Sequence, residues 1–99
     1  MVFAVIYRWG ITPGLEKEFE RIWKESTQTI YSTFGSLGSS LHKAENGEYV
    51  AYARWPDKKS WERMIRDYDS TPEIEKFWEG HVKELAKPVC LELLIDLLE

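Results

Sequence analysis

The order of hydrophobic periodicities along the chain predicts an α+β fold of the ferredoxin-like type, βαββ(αα)β, in which helices back one antiparallel sheet. Three observations lead there. A short apolar and aromatic run, Val2 to Trp9, precedes a long stretch with apolar residues at helical spacing. An Asn-Gly pair separates two strand-like segments, and two further helical segments are followed by a Pro-initiated apolar strand.

The first strand is VFAVIYRW. From Pro13 to Phe34, the residues Leu15, Phe19, Ile22, Trp23, Ile30 and Phe34 recur at helical spacing and predict an amphipathic helix. Thr12-Pro13 reads as an N-cap followed by proline at the first helical position, where a missing N–H costs nothing. Gly35 suits the left-handed residue that ends a helix. Segments Ser36 to Glu45 and Glu48 to Trp55 flank Asn46-Gly47, a pair that readily takes the positive φ values of a type I′ hairpin turn. Asp57 caps a short helix reaching Tyr68, with Trp61, Met64, Ile65 and Tyr68 on one face. Thr71-Pro72 starts a third helix that should run to Leu85, and Pro88 opens a closing strand from Val89 to Leu98.

A chain of 99 residues is expected to be one domain, residues 1–99. At this size folding buries only about two-thirds of the surface that the unfolded chain exposes, so a leftover apolar face needs a partner. The strands provide such a face. Phe3, Val5, Tyr7 and Trp9 alternate with Val2, Ala4, Ile6 and Arg8, and both sets are largely apolar. In the last strand Val89, Leu91, Leu93, Ile95 and Leu97 form one face, and Leu94 and Leu98 share the other with Glu92 and Asp96. Helices on one side of a sheet leave the second apolar face open, which predicts a homodimer packed sheet to sheet.

The net charge of −4 gives no basic footprint for nucleic acid or anionic membrane. No apolar run approaches the roughly 18 residues of a membrane-spanning helix, and no basic start precedes an apolar signal segment, so a soluble cytoplasmic protein is expected. The single cysteine, Cys90, excludes an intrachain disulfide framework and reads as a small buried hydrophobe.

The segments FAVIYRWGITPGLEKEFERIW, GSLGSSLHKAENGEYVAYARWPDKKSWE and PEIEKFW resemble the antibiotic biosynthesis monooxygenase family, over roughly residues 2 to 85. The shared features are Pro-Gly before a long helix, glycine near its end, and tryptophan closing the third strand before a short helix. The resemblance implies a dimeric α/β barrel. It also implies a range of activities, because the family includes cofactor-free quinol and polyketide oxygenases and heme-degrading enzymes, while related barrels are isomerases. Fold alone does not choose among these.

His81 leads the candidate site residues. The expected third helix places it on one stripe with Ile74, Phe77, Trp78, Val82 and Leu85, so its imidazole would sit among apolar groups facing the sheet, as a base or proton donor. The competing reading is a core histidine bonded to a backbone carbonyl. Tyr7 shares a strand face with Phe3 and Val5, and a buried phenol needs a hydrogen-bond partner, which a ligand or the protein itself could supply. Trp55, Trp61, Phe77 and Trp78 would give flat walls for a planar aromatic substrate, or ordinary core. His42 falls on a strand, exposed or at a dimer seam. For Arg8 and Arg54, salt bridges to Glu92 or Asp96 are expected.

Phosphate-loop, dinucleotide, zinc and serine-nucleophile signatures are all absent from the sequence. Any oxidation would therefore rely on an electron-rich substrate that reduces O₂ itself, with the protein supplying a base, a dry pocket and orientation. The expected function is a cofactor-independent monooxygenase acting on a small aromatic or quinol-type substrate, with His81 as base or proton donor and Tyr7 orienting the oxygen function. Its rival is a non-catalytic dimeric ligand-binding domain. Heme is the one cofactor the resemblance leaves open: its heme-degrading branch uses a strand-one Asn, a helix Trp and an iron-ligating helix His. Tyr7 stands at the first position, Met64 near the second and His81 at or close to the third, so two of the three depart.

Overall fold

The computed structural model describes residues 2–98. Its elements are β1 (Phe3–Ile11), α1 (Glu16–Phe34), β2 (Gly38–Lys43), β3 (Tyr49–Trp55), α2 (Lys58–Asp67), α3 (Pro72–His81), β4 (Val82–Glu84) and β5 (Val89–Glu92). All strand pairings are antiparallel, in the order β2-β3-β1, with β4 and β5 sharing the remaining edge of β1. This is the predicted α+β ferredoxin-like order with one short strand added.

Local chemistry explains most boundaries. The Thr71 hydroxyl accepts from Ile74 N and the Asp57 carboxylate from Ser60 N, so both expected caps form. Gly35 ends α1 at φ 75°, the left-handed conformation that glycine enters without a Cβ penalty. Thr12-Pro13 differs from expectation. The chain makes a tight turn there, with Leu15 N donating to Thr12 O at 3.1 Å and Gly14 at φ 92°, and α1 begins only at Glu16. Proline followed by a positive-φ glycine is turn chemistry before it is helix chemistry. The hairpin is also corrected. Only Gly47 takes positive φ, and Ala44 N bonds Glu48 O while Gly47 N bonds Ala44 O, which gives a three-residue connection ending in a bulge glycine instead of a type I′ pair.

The largest departure is at the C-terminal end. Helix α3 stops at His81, four residues early, because the edge of β1 captures it: Thr12 N and Thr12 Oγ1 both donate to the His81 carbonyl, at 3.0 and 3.3 Å. The next residues pair with Trp9–Ile11 as β4. Leu85 N still donates to Arg8 O at 3.0 Å, and residues 86–88 then bulge out before β5 resumes against Phe3–Ile6. Pairing ends at Glu92, so the expected strand to Leu98 is not formed. Beyond Glu92, the Leu93 N–H donates to Val2 O and Arg54 binds Asp96 at 2.8 Å. The second contact is the ion pair expected for Arg54; Arg8 instead pairs with Glu48, at 2.6 Å.

The inner sheet face and the helices enclose two core clusters. Val5, Ala53 and Trp55 pack with Phe34 and Met64 at one end, and Trp9, Tyr49 and Ala51 pack with Phe19 at the other. The outer face carries half-buried Ile6, Val50 and Tyr52 beside exposed Val89 and Leu91. Leu94 and Ile95 on the tail are 83% and 79% exposed.

The Thr71 cap starts the helix that carries Trp78, so its loss should be measurable. Thr71→Ala is expected to lower unfolding free energy by about 1 kcal/mol in urea, with the denaturant slope unchanged. An unchanged midpoint would show that the cap carries no stability.

Candidate functional site

The inner face of β3 reads Tyr49, Ala51, Ala53, Trp55, and β1 sets Tyr7 opposite Ala51 and Val5 opposite Ala53. Two small residues between bulky ones leave a hollow in the middle of the sheet. Helix α1 cannot sink into it, because Phe19 and Phe34 prop it at either end. The result is a cavity of about 550 Å³. Ala51, Ala53 and Tyr7 line the sheet side, Trp23 and Ile30 the α1 side, and Met64 and Tyr68 the α2 side. Trp9, Trp55 and Trp78 add flat walls, with Trp78 edge-on to Trp9 at 5.5 Å.

Polar groups on this lining are few and specific. The Trp61 indole N–H donates to the Tyr7 hydroxyl oxygen at 2.9 Å. The Tyr7 ring stacks on Trp9 with centroids 5.5 Å apart and planes 9° from parallel. Burial pushes the Tyr7 pKa above the ordinary phenol value, an effect the Trp61 bond opposes and only partly offsets. The group is therefore a neutral donor at physiological pH. Ser26 and Trp55 also stand on the lining, and Ser26 Oγ and Trp55 Nε1 are buried with no partner among the described residues. Ser39, Ser70 and Thr27 contribute hydroxyl-bearing side chains. Two carboxylate side chains, Glu75 and Glu79, lie on successive turns of α3, and Ser70 Oγ donates to Glu75 at 3.2 Å.

The predicted site residues separate into three groups. Tyr7, Trp55 and Trp78 line the cavity. Trp61 touches it only through Tyr7, and Phe77 packs into the core cluster around Trp9 and Phe19. His81 is elsewhere. The expectation that its imidazole is buried among apolar groups is corrected: it is exposed, lies 5.2 Å from the Phe77 ring, and borders a separate shallow cleft with Thr12 and Lys83. The stripe argument extended α3 to Leu85, but the helix ends at His81 and turns onto β1. Leu85 consequently lies across the sheet, where a Cβ on Gly10 would meet its side chain at 3.5 Å. His42 is exposed on β2, its Nε2 2.8 Å from Ser40 Oγ. Cys90, expected to be buried, is exposed on the edge strand β5.

Sequence reasoning missed Ala51, Ala53, Trp9, Trp23, Tyr68, Glu75 and Glu79. A signal existed for the first two: alanines at alternating positions of a central strand, where large β-formers are usual, mark a hollow. No His or Cys stands on the cavity lining, and His81, the residue at or close to the position of the iron-ligating His in the heme-degrading branch, is outside it. Among the described residues no group of three His, Cys, Asp or Glu is arranged to hold a metal ion, and no helix is long and apolar enough to cross a membrane.

Known proteins share this architecture. SnoaB, a cofactor-independent oxygenase from Streptomyces nogalater, superposes with a TM-score of 0.74 at 16% identity, over 99% of this chain and 98% of that chain. Rv0793 from Mycobacterium tuberculosis gives a TM-score of 0.73 at 14% identity, over 99% and 100%. A conserved protein from Methanosarcina mazei Go1 gives 0.74 at 15% identity, over 92% and 91%. At such identities the likeness is one of fold. No curated protein matches the chain. The family model for antibiotic biosynthesis monooxygenases matches residues 1–80, and the chain belongs to that family.

Proposed function

We propose that the chain is a cofactor-independent monooxygenase that takes a small planar aromatic substrate of the quinol or anthrone type into the cavity between sheet and helices. The observation that carries this reading is the Tyr7 hydroxyl, bonded to Trp61 and set among tryptophan faces on the cavity lining. A neutral phenol donor in an apolar site stabilises negative charge growing on a substrate oxygen, the charge that forms as the substrate ionises. In an anthrone-type reaction the carbanion gives one electron to O₂, the two radicals join as a carbon-bound peroxide, a returning proton makes the hydroperoxide, and loss of the remaining C–H proton as the O–O bond breaks forms the carbonyl and releases water. A methylene thus becomes a carbonyl as O₂ is reduced to a carbonyl oxygen and water. The carboxylate side chains on the lining, Glu75 and Glu79, are the groups this reading assigns to hold that proton. His81, the expected base, has no contact with substrate in this reading.

The same fold leaves an apolar surface outside the cavity, and two copies pairing through it is the second part of the proposal. Ile6, Val50 and Tyr52 are half-buried on the outer sheet face, Val89 and Leu91 beside them are exposed, and so are Leu94 and Ile95 on the tail. An isologous seam of about 1,600 Å² would match a stable dimer.

Oxygen consumption with anthrone and a panel of hydroquinones tests the reaction. Tyr7→Phe should lower kcat roughly ten- to a hundredfold, the cost of removing one charge-stabilising donor, whereas His81→Ala should leave it unchanged. Ala53→Leu should fill the hollow and abolish binding without loss of stability. Absence of turnover by the unmodified protein, with tight quinone binding retained, would instead establish the ligand-binding reading, which the lack of any His, Lys or Cys on the lining favours. Sedimentation equilibrium tests the pairing. A dimer is expected, and Ile95→Asp should yield a folded monomer by circular dichroism, since Ile95 is 79% exposed and contributes little to the protomer core. A monomer of the unmodified protein at high micromolar concentration would overturn the pairing.

A further inference from the structure

Trp61 lies off the cavity wall, yet its indole N–H reaches the one hydroxyl at the centre of the proposed chemistry. A phenol O–H lies near the ring plane and has two favourable in-plane orientations, one on each side of the C–O bond. An N–H donor arriving from one side occupies the lone pair there and clashes with an O–H turned the same way, so the phenol proton must point to the other side. Tyr7 stands on the cavity lining and Trp61 does not, so the donor reaches the hydroxyl from outside the lining. No acceptor within the protein takes that proton among the described side-chain hydrogen bonds of Tyr7. We infer that Trp61 is a positioning residue, which holds the Tyr7 hydroxyl as a one-way donor aimed into the cavity and so selects substrates that present an acceptor oxygen there.

The surroundings fix this arrangement. The Trp61 ring packs against Phe3 at 5.6 Å, and the Tyr7 ring stacks on Trp9. Neither ring can turn freely, so the 2.9 Å bond is a property of the packed helix α2 against β1. The bond also polarises the phenol. An N–H donor to the phenol oxygen stabilises the phenolate and strengthens the outgoing O–H as a donor. It therefore acts against burial in setting the Tyr7 pKa. The other titratable groups facing Tyr7 are Glu84 on β4 and Cys90 on β5, both of which raise that pKa, while Glu75 and Glu79 lie on α3 across the cavity.

The inference rests on the Tyr7-centred reading above, and its test has arms that separate the two. In ¹³C-tyrosine NMR titrations, with the Tyr7→Phe spectrum assigning the resonance, Trp61→Phe should raise the Tyr7 midpoint. An unmoved or lowered midpoint would overturn the inference. With anthrone as substrate, Trp61→Phe should lower kcat about fivefold with little change in KM, and should have no further effect in the Tyr7→Phe background. An equal loss in both backgrounds would mean that Trp61 acts only through packing. Should the unmodified protein turn over neither anthrone nor hydroquinones, the reaction proposed above fails, and binding then decides the role of Trp61. Trp61→Phe should weaken 1,4-naphthoquinone, which presents acceptor oxygens, and leave naphthalene unaffected; equal weakening of both would overturn it. Thermal melts of each variant establish that the fold survives.

Discussion

The register of β1 against β3 is the constraint from which the rest of the molecule follows. By setting Tyr7 opposite Ala51 and Val5 opposite Ala53, it places small side chains in the centre of the inner sheet face and large ones, Trp9, Tyr49 and Trp55, toward its ends. Helix α1 spans the hollow because its buried Phe19 and Phe34 lie fifteen residues apart in sequence, and each meets a different core cluster. A slip of β1 by one residue against β3 would turn Val5, Tyr7 and Trp9 outward and bring Ile6 and Arg8 under the helices, removing one side of the cavity while Ala51 and Ala53 stayed in place. The fold is thus committed to a cavity by a strand pairing, without any residue being strained to make it.

Much of this was legible in the sequence. The strand and helix order, the Asp57 and Thr71 caps and the Gly35 terminus all depend on short-range chemistry and appear as predicted. Alternation alone groups Tyr7 with Phe3, Val5 and Trp9 on one face of the first strand. What failed depended on contacts between distant segments. The end of α3 is set by Thr12, sixty-nine residues earlier in the chain, whose N–H and hydroxyl take the His81 carbonyl. Helical periodicity beyond His81 is present in the residues but is overridden by that edge, and β4 is too short for a periodic signal. The error propagated to function, because His81 belonged in a cavity only if the helix continued to Leu85.

The bond between Trp61 and Tyr7 was invisible for a related reason. Trp61 sat correctly on the apolar face of α2, but a helical face says nothing about where an indole N–H points after packing. That direction comes from the crossing of α2 over β1, with Phe3 beneath the ring. Tryptophan in this chain is consequently of two kinds: cavity wall at Trp9, Trp23, Trp55 and Trp78, with the buried Trp55 N–H lacking a partner among the described residues, and hydrogen-bond donor at Trp61. An unpartnered buried N–H costs of the order of 1–3 kcal/mol, so its retention beside a cavity accords with a site in which stability has been traded against binding.

The distribution of polarity within the site argues for a direction of entry. Around the hollow the groups free to act are donors or neutral hydroxyls, whereas the carboxylate side chains belong to α3, where Glu75 and Glu79 are exposed at the edge of the cavity. A ligand that is already anionic meets those carboxylates before it reaches Tyr7, and with no Lys or Arg on the lining nothing offsets the repulsion. A neutral quinol or anthrone meets no such barrier, and its charge need develop only beside the Tyr7 donor. Under the proposed reaction the order is entry as the neutral molecule, ionisation inside, and proton transfer outward toward α3. Burial raises the Tyr7 phenol pKa, and a group that stays protonated can keep donating while charge grows beside it.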